Sequence, residues 1–88
     1  MKYRIKVSKT FIRQFSKLDR QVQNMVDTWI KKHIYDCEDP RAFGKPLENE
    51  FSGYWRYRIG DYRMIVEIKD KEAIIFMIKI GHRKEVYK

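Results

Sequence analysis

From Tyr54 to Ile68 apolar and polar side chains alternate with period two, interrupted once by Gly60-Asp61. Period two marks strands. A two-residue Gly-Asp loop between such runs suits a type II′ turn with glycine in first place. The register that follows sets Ile59 opposite Tyr62, Arg58 opposite Arg63, Tyr57 opposite Met64 and Arg56 opposite Ile65. One face of this hairpin carries Trp55, Tyr57, Ile59, Tyr62, Met64, Val66 and Ile68. The other carries Arg56, Arg58 and Arg63.

The flanking segments have patterns of their own. Lys2 to Val7 alternates, with Tyr3, Ile5 and Val7 on one side, and reads as a half-buried strand. Ser8 is placed to cap a helix whose buried stripe is Phe11, Ile12, Phe15 and Leu18. Asp19 offers a second N-cap. Val22, Met25, Val26, Trp29, Ile30 and Ile34 then follow at helical spacing, predicting a helix to about residue 35 and an antiparallel helical hairpin. His33 falls beside the stripe as a residue at the core edge. Asp36 to Ser52 holds both prolines and Gly44 and reads as a long loop, with Leu47 and Phe51 anchoring it to the core.

Asp70-Lys71 marks another turn, and Ala73 to Ile80 a further strand. Its parity of Ile74, Phe76, Ile78 and Ile80 is wholly apolar and is assigned to the core. Lys79 then joins Arg63 on the arginine face, and the same parity runs through Gly81 to Arg83. The expected fold is an α+β, two-layer, β-α-α-β-β-β domain over residues 1–88. An antiparallel three-strand meander has both helices packed on one sheet face. The opposite face is expected to be open, basic and partly aromatic.

Composition narrows the classes of partner. The chain has 88 residues and a formal net charge of +8, with a pI of about 9.7. Such a balance points to nucleic acid, an acidic protein or an anionic membrane surface. There is no run of 18 apolar residues to span a bilayer and no signal-peptide core at the N-terminus. Cys37 stands alone, so no disulfide framework or cysteine zinc cluster is expected, and no neighbour in sequence activates it. A reducing, cytoplasmic setting fits, with no metal and no cofactor.

Like charges directly opposite each other on a sheet are destabilising. Arg58 facing Arg63 leaves two readings open. One is a solvated basic face on a basic protein. The other is a surface completed by an anionic ligand that offsets the repulsion.

The order strand, helix, helix, three strands resembles the RelE/ParE toxins of bacterial and archaeal toxin–antitoxin systems, and within them the RelE-like mRNA interferases. The resemblance is carried by Leu47, by the run Gly53-Tyr54-Trp55-Arg56-Tyr57-Arg58-Ile59-Gly60-Asp61-Tyr62-Arg63, and by Gly81-His82-Arg83-Lys84-Glu85-Val86-Tyr87. It covers essentially the whole chain. It implies a toxin that enters the ribosomal A site and cleaves mRNA there, the ribose 2′-OH attacking the adjacent phosphate without a metal. The implied site residues are Arg56 and Arg58 on the first hairpin strand, Arg63 opening the second, Arg83 after the last strand, and Tyr87. The alternation alone puts Arg56, Arg58, Arg63 and Arg83 on one face.

Fixed guanidinium groups suit such chemistry because negative charge builds on the phosphorane and on the leaving 5′-oxygen. Tyr87 suits stacking on a splayed base. Some relatives carry lysines at the places of Arg56 and Arg58. Arginine stays protonated, so the general base lies elsewhere or is absent. The candidates rank as His82, then a loop glutamate, Glu48 or Glu50, then no discrete base. The chain stops one residue after Tyr87, where several relatives carry a further helix, so the basic face is expected to lie uncovered for an antitoxin. The partners implied are a small acidic and apolar antitoxin, mRNA and the ribosome, with no membrane. Two other readings remain: a ParE-type DNA gyrase inhibitor that cuts no RNA, and a plain nucleic-acid or acidic-protein binding module.

Overall fold

Ser8 joins the first strand to the first helix. In the computed structural model, which describes residues 1–87, its Oγ accepts the Phe11 amide at 2.9 Å. The elements in order are β1 (Arg4–Val7), α1 (Lys9–Ser16), α2 (Arg20–His33), β2 (Lys45–Pro46), β3 (Trp55–Ile59), β4 (Tyr62–Lys69) and β5 (Ile74–His82). The described strands form a five-stranded sheet in the order β1-β5-β4-β3-β2. β3, β4 and β5 make the expected antiparallel meander. β1 adds to it in parallel beside β5, and the two-residue β2 pairs with β3 through Lys45↔Arg56 and Pro46↔Trp55.

Both helices lie on one sheet face. Phe11, Phe15, Leu18, Val22, Val26, Trp29, Ile30 and Ile34 pack there against Tyr57, Ile59, Met64, Val66, Ile75, Met77 and Ile80. Burial of this apolar surface is the main favourable term in so small a chain. Two expected stripe residues are not in the core: Ile12 is 54% exposed and Met25 40%. Successive helical residues are about 100° apart. With Phe11, Phe15 and Leu18 facing the sheet, Ile12 is turned to solvent. Met25 instead lies beside the hairpin turn at Gly60. Asp19 occupies the N-cap position of α2 but makes no side-chain cap hydrogen bond. The helix stops at His33 rather than at 35, and Asp36 in the left-handed region (φ 56°) turns the chain away.

The hairpin register is the one its turn dictates: Ile59 pairs with Tyr62, Arg58 with Arg63, Tyr57 with Met64, and Arg56 with Ile65. Gly60 has φ 58° and Asp61 does not enter the left-handed region, the pattern of a type II′ turn.

β5 departs from expectation. Ile65 pairs with Lys79, but Val66 pairs with Met77, so Ile78 is one residue extra. This β-bulge reverses the parity of everything before it. Ile75 and Met77 enter the core, whereas Ile74 and Phe76 stand on the open face with Glu67 and Lys69. Lys79 and Ile80 keep their predicted sides. The bulge is held by α1: Ser8 Oγ donates to the Ile78 carbonyl at 2.6 Å, and the Ile80 amide donates to Gln14 Oε1 at 2.8 Å. Beyond the end of β1 those backbone groups have no strand partner, and the helix side chains satisfy them.

The long loop is tied down at several points. Tyr57 OH donates to the Pro40 carbonyl at 2.5 Å, Trp55 Nε1 to the Phe43 carbonyl at 2.7 Å, and Arg41 grips Asp70 through two hydrogen bonds of 3.0 Å. Leu47 is half-buried. Phe51 does not join the helix-side core; it lies on the arginine side, against Tyr87. Among the described residues no helix is long and apolar enough to cross a membrane.

Candidate functional site

The hairpin delivers three arginines to one end of the open sheet face. Arg58 is exposed and sits directly across from Arg63. Arg63 is half-buried and folds back over the turn, its Nη1 donating to the carbonyls of Gly60 and Tyr62, each at 3.0 Å. Arg56 is also half-buried. Its Nη1 reaches the Tyr87 hydroxyl at 3.4 Å, and its Nε is buried without a hydrogen-bond partner.

After β5 the chain turns back onto this face. The Arg83 amide donates to the Asp61 carbonyl at 2.8 Å, and the amides of Glu85 and Val86 both donate to the His82 carbonyl. Val86, 2% exposed, packs over Gly81, where an added Cβ would meet it. Tyr87 comes to rest edge-on to Phe51, ring centroids 5.8 Å apart, and Lys79 Nζ lies 6.0 Å from the same Phe51 ring. Ile65, on the strand between Arg56 and Lys79, is only 1% exposed. The open face is therefore partly covered by its own chain, contrary to expectation. Val86, the apolar residue between Arg83 and Tyr87, is the sequence signal for this. Phe51 gave no such sign, since it lies far from the tail in sequence.

Electrostatics tie the cluster together. The Arg63 guanidinium is held below the ordinary arginine range, first by burial, then by the positive charges of Arg58, Arg56 and Arg83; Tyr87 acts in the opposite direction. Arg56, Arg58, Arg63, Arg83 and Tyr87 thus come together. An opposite charge placed among them would offset both the desolvation of Arg63 and the mutual repulsion.

His82 is not brought into this group. It pairs with Tyr62, on the face that carries Met64 and Ile80, and its ring lies edge-on to Tyr62 at 5.6 Å. Its Nδ1 accepts the Lys84 amide at 3.2 Å. Gly81 leaves the alternation unbroken, so parity keeps the imidazole away from the arginines. Glu48 and Glu50 are exposed and flank the turn that carries Phe51. Cys37 is half-buried, and burial pushes its thiol up, away from thiolate chemistry. Among the described residues no group of three or more His, Cys, Asp or Glu side chains is placed to hold a metal ion.

Fold and site together define a two-layer α+β protein that presents converging guanidinium groups and a phenol on the helix-free face of its sheet. The chain belongs to the family described as ParE toxin of type II toxin–antitoxin systems, whose profile matches residues 5–87, within the RelE/ParE superfamily. It is 26% identical to Toxin RelG of Mycobacterium tuberculosis over 100% of this chain and 99% of that one. It is 26% identical to Toxin RelE of the same organism, over 98% of this chain and 87% of the other. The toxin–antitoxin complex RelBE2 of M. tuberculosis contains a chain with the same fold (TM-score 0.84, 25% identity, 97% of this chain and 95% of that one). The RelE–RelB complex of Pyrococcus horikoshii shares the fold at TM-score 0.72 and 24% identity, covering 98% and 100% of the two chains.

Proposed function

We propose that this toxin is a ribosome-dependent endoribonuclease that cleaves mRNA in the A site and so inhibits translation. The observation that carries the reading is the convergence of Arg56, Arg58, Arg63 and Arg83 with Tyr87, Arg58 lying directly opposite Arg63. A purely structural surface gains nothing from that opposition. In the proposed reaction the 2′-oxygen bonds to the adjacent phosphorus while the bond to the 5′-oxygen breaks. One product ends in a 2′,3′-cyclic phosphate and the other begins with a 5′-hydroxyl. The arginines stabilise the negative charge on the phosphorane oxygens and on the leaving group. Tyr87 stacks against the splayed base. The 2′-hydroxyl gives its proton to water and the leaving 5′-oxygen takes one from water, so the step balances with no proton routed through His82, which lies on the other face.

The partner we propose is an antitoxin, as in the complexes named above, acidic enough to offset the +8 charge and apolar enough to lie over the tail. The name ParE in the family description keeps a second reading in view; on that reading the chain inhibits DNA gyrase by binding and cuts no RNA. Primer extension on translating ribosomes, run beside a gyrase supercoiling assay, separates the two. Cuts inside A-site codons with supercoiling unaffected are the expected result. Intact message with inhibited gyrase overturns the proposal.

A further inference from the structure

Beside the arginine cluster a second feature is built at the edge of β3. β2 covers only Trp55 and Arg56, so Tyr57 to Ile59 have no strand beyond them. A cleft of about 290 Å³ opens there, lined by Trp29, Phe43, Gly44, Lys45, Arg56 and Arg58. Three of these are cations, and among the described residues no carboxylate lines it.

The walls are fixed. Phe43 is 41% exposed, yet its ring is held edge-on by Trp29 at 6.2 Å and by His33 at 4.7 Å. Its carbonyl accepts the Trp55 indole N–H at 2.7 Å. Gly44 has φ 83°, and a Cβ there would run into the Arg56 carbonyl and come within 2.7 Å of Trp55 Nε1, so the loop closes onto β3 only because this residue is glycine. Arg56 belongs to both places. Its Nη1 points to Tyr87 at 3.4 Å, and its Nε is buried without a partner. A buried N–H left unmatched is costly. Cations beside exposed aromatic rings are the usual grip on single-stranded nucleic acid, because every base offers a π-face.

We infer that this cleft is a second nucleotide subsite, holding the base of a residue that flanks the cleaved bond against Phe43 and Trp29, and its phosphate at Lys45, Arg58 and the Arg56 guanidinium. The inference rests on the endoribonuclease reading and extends it. It makes Phe43, which the arginine chemistry does not use, a determinant of which codons are cut. An acidic peptide would satisfy the cations but leave the rings idle, so RNA is the better match.

NMR titration of the ¹⁵N-labelled toxin with a 2′-O-methyl RNA trinucleotide, which cannot be cleaved, tests this directly. The Trp29 indole, the Arg56 Nε–H and the amides of Gly44 and Lys45 should shift together with Arg63, Arg83 and Tyr87. Phe43→Ala should weaken binding roughly 10-fold, as loss of one base-stacking ring does. Shifts confined to Arg63, Arg83 and Tyr87 overturn the subsite and leave the catalytic reading intact. Shifts nowhere overturn the subsite, and the endoribonuclease reading then rests on primer extension with ribosomes. Cleft signals that move with poly-glutamate but not with RNA assign the surface to a protein. On translating ribosomes, Phe43→Ala should redistribute the cuts among codons and Phe43→Tyr should keep the parental pattern. An unaltered pattern in Phe43→Ala also overturns the inference.

Discussion

Replacing Arg58 with threonine separates what the arginine face does for stability from what it does for chemistry. Arg58 is exposed, directly opposite Arg63, and is one of the charges that hold Arg63 below its ordinary range, after burial. Two unit charges about 7 Å apart in a water-like dielectric repel by roughly 0.6 kcal/mol. Cross-strand pair effects span about 0.2–1 kcal/mol, which brackets that figure. Threonine removes the repulsion and is a better strand former. The expected gain of about 0.5 kcal/mol raises the melting temperature by roughly 2–4 °C for a chain of this size. The gain should fade in 1 M salt, where the Debye length falls to about 3 Å. Cleavage should move the other way, by about 100-fold or more, the usual loss when one preorganised donor to a developing charge is removed. Opposite signs are expected where stability is given up for function. A thermal melt at two salt concentrations and a single-turnover cleavage assay on translating ribosomes read both quantities from one preparation. A clearly lower melting temperature makes Arg58 structural. Unchanged melting with full activity reduces the arginine face to a solvated surface and moves the site elsewhere.

Three further outcomes are expected. Gly44→Ala puts a side chain into the left-handed region and onto the Arg56 carbonyl, which should cost about 2 kcal/mol or more and lower the melting temperature by roughly 10 °C; a melt identical to the parent's refutes the packing of this loop. Asp70 is held below the ordinary aspartate range by its hydrogen bond from Arg41 and then by that from Tyr3, so its contribution is present above the unfolded value and lost as pH falls through the lower, folded one. Asp70→Asn should therefore melt slightly below the parent at neutral pH, with the gap closing below about pH 4, and a gap independent of pH removes the ion pair from the account. His82→Gln should keep cleavage within about threefold, whereas the roughly 100-fold loss expected of a missing general base would return His82 to the chemistry.

The hairpin register was legible because local chemistry settles it. Gly60-Asp61 admits one turn family, and five paired positions follow from it. The bulge at Ile78 was not. From Ile74 to Ile78 both parities are apolar, so nothing in the pattern says which side faces the helices until Lys79. The deciding groups are the Ser8 hydroxyl and the Gln14 amide, more than sixty residues away in sequence. β2 escaped notice for another reason: a two-residue strand containing Pro46 has no period to detect. Arg56, Arg58, Arg63 and Arg83 could be gathered by counting alone, since the parity from Lys79 onward is unbroken. The cleft at the β3 edge could not, because Trp29 comes from a helix and Phe43 from a loop, and the interactions that set them are tertiary.

The same bulge explains how a repulsive cluster and a stable core share one sheet. Before Ile78, β5 turns Ile75 and Met77 toward the helices; after it, Ile80 still faces them, and Lys79 and Gly81 face the arginines. One extra residue lets an otherwise continuous apolar strand serve the core along its whole length and still place its last turnable positions on the open face. Gly81 then leaves room for Val86, which brings the tail down and sets Tyr87 beside Arg56. The two halves of the site differ in how firmly they are held. Arg56, Arg58 and Arg63 sit on paired strands backed by the core. Arg83 and Tyr87 depend on the Asp61 carbonyl, on Val86 and on the Phe51 ring. Charge-stabilising groups need fixed positions before the substrate arrives. A ring that stacks on a splayed base must first let that base in. In the proposed reaction the rigid strands thus carry three of the four guanidinium groups, and the tail brings the fourth, Arg83, together with the stacking ring.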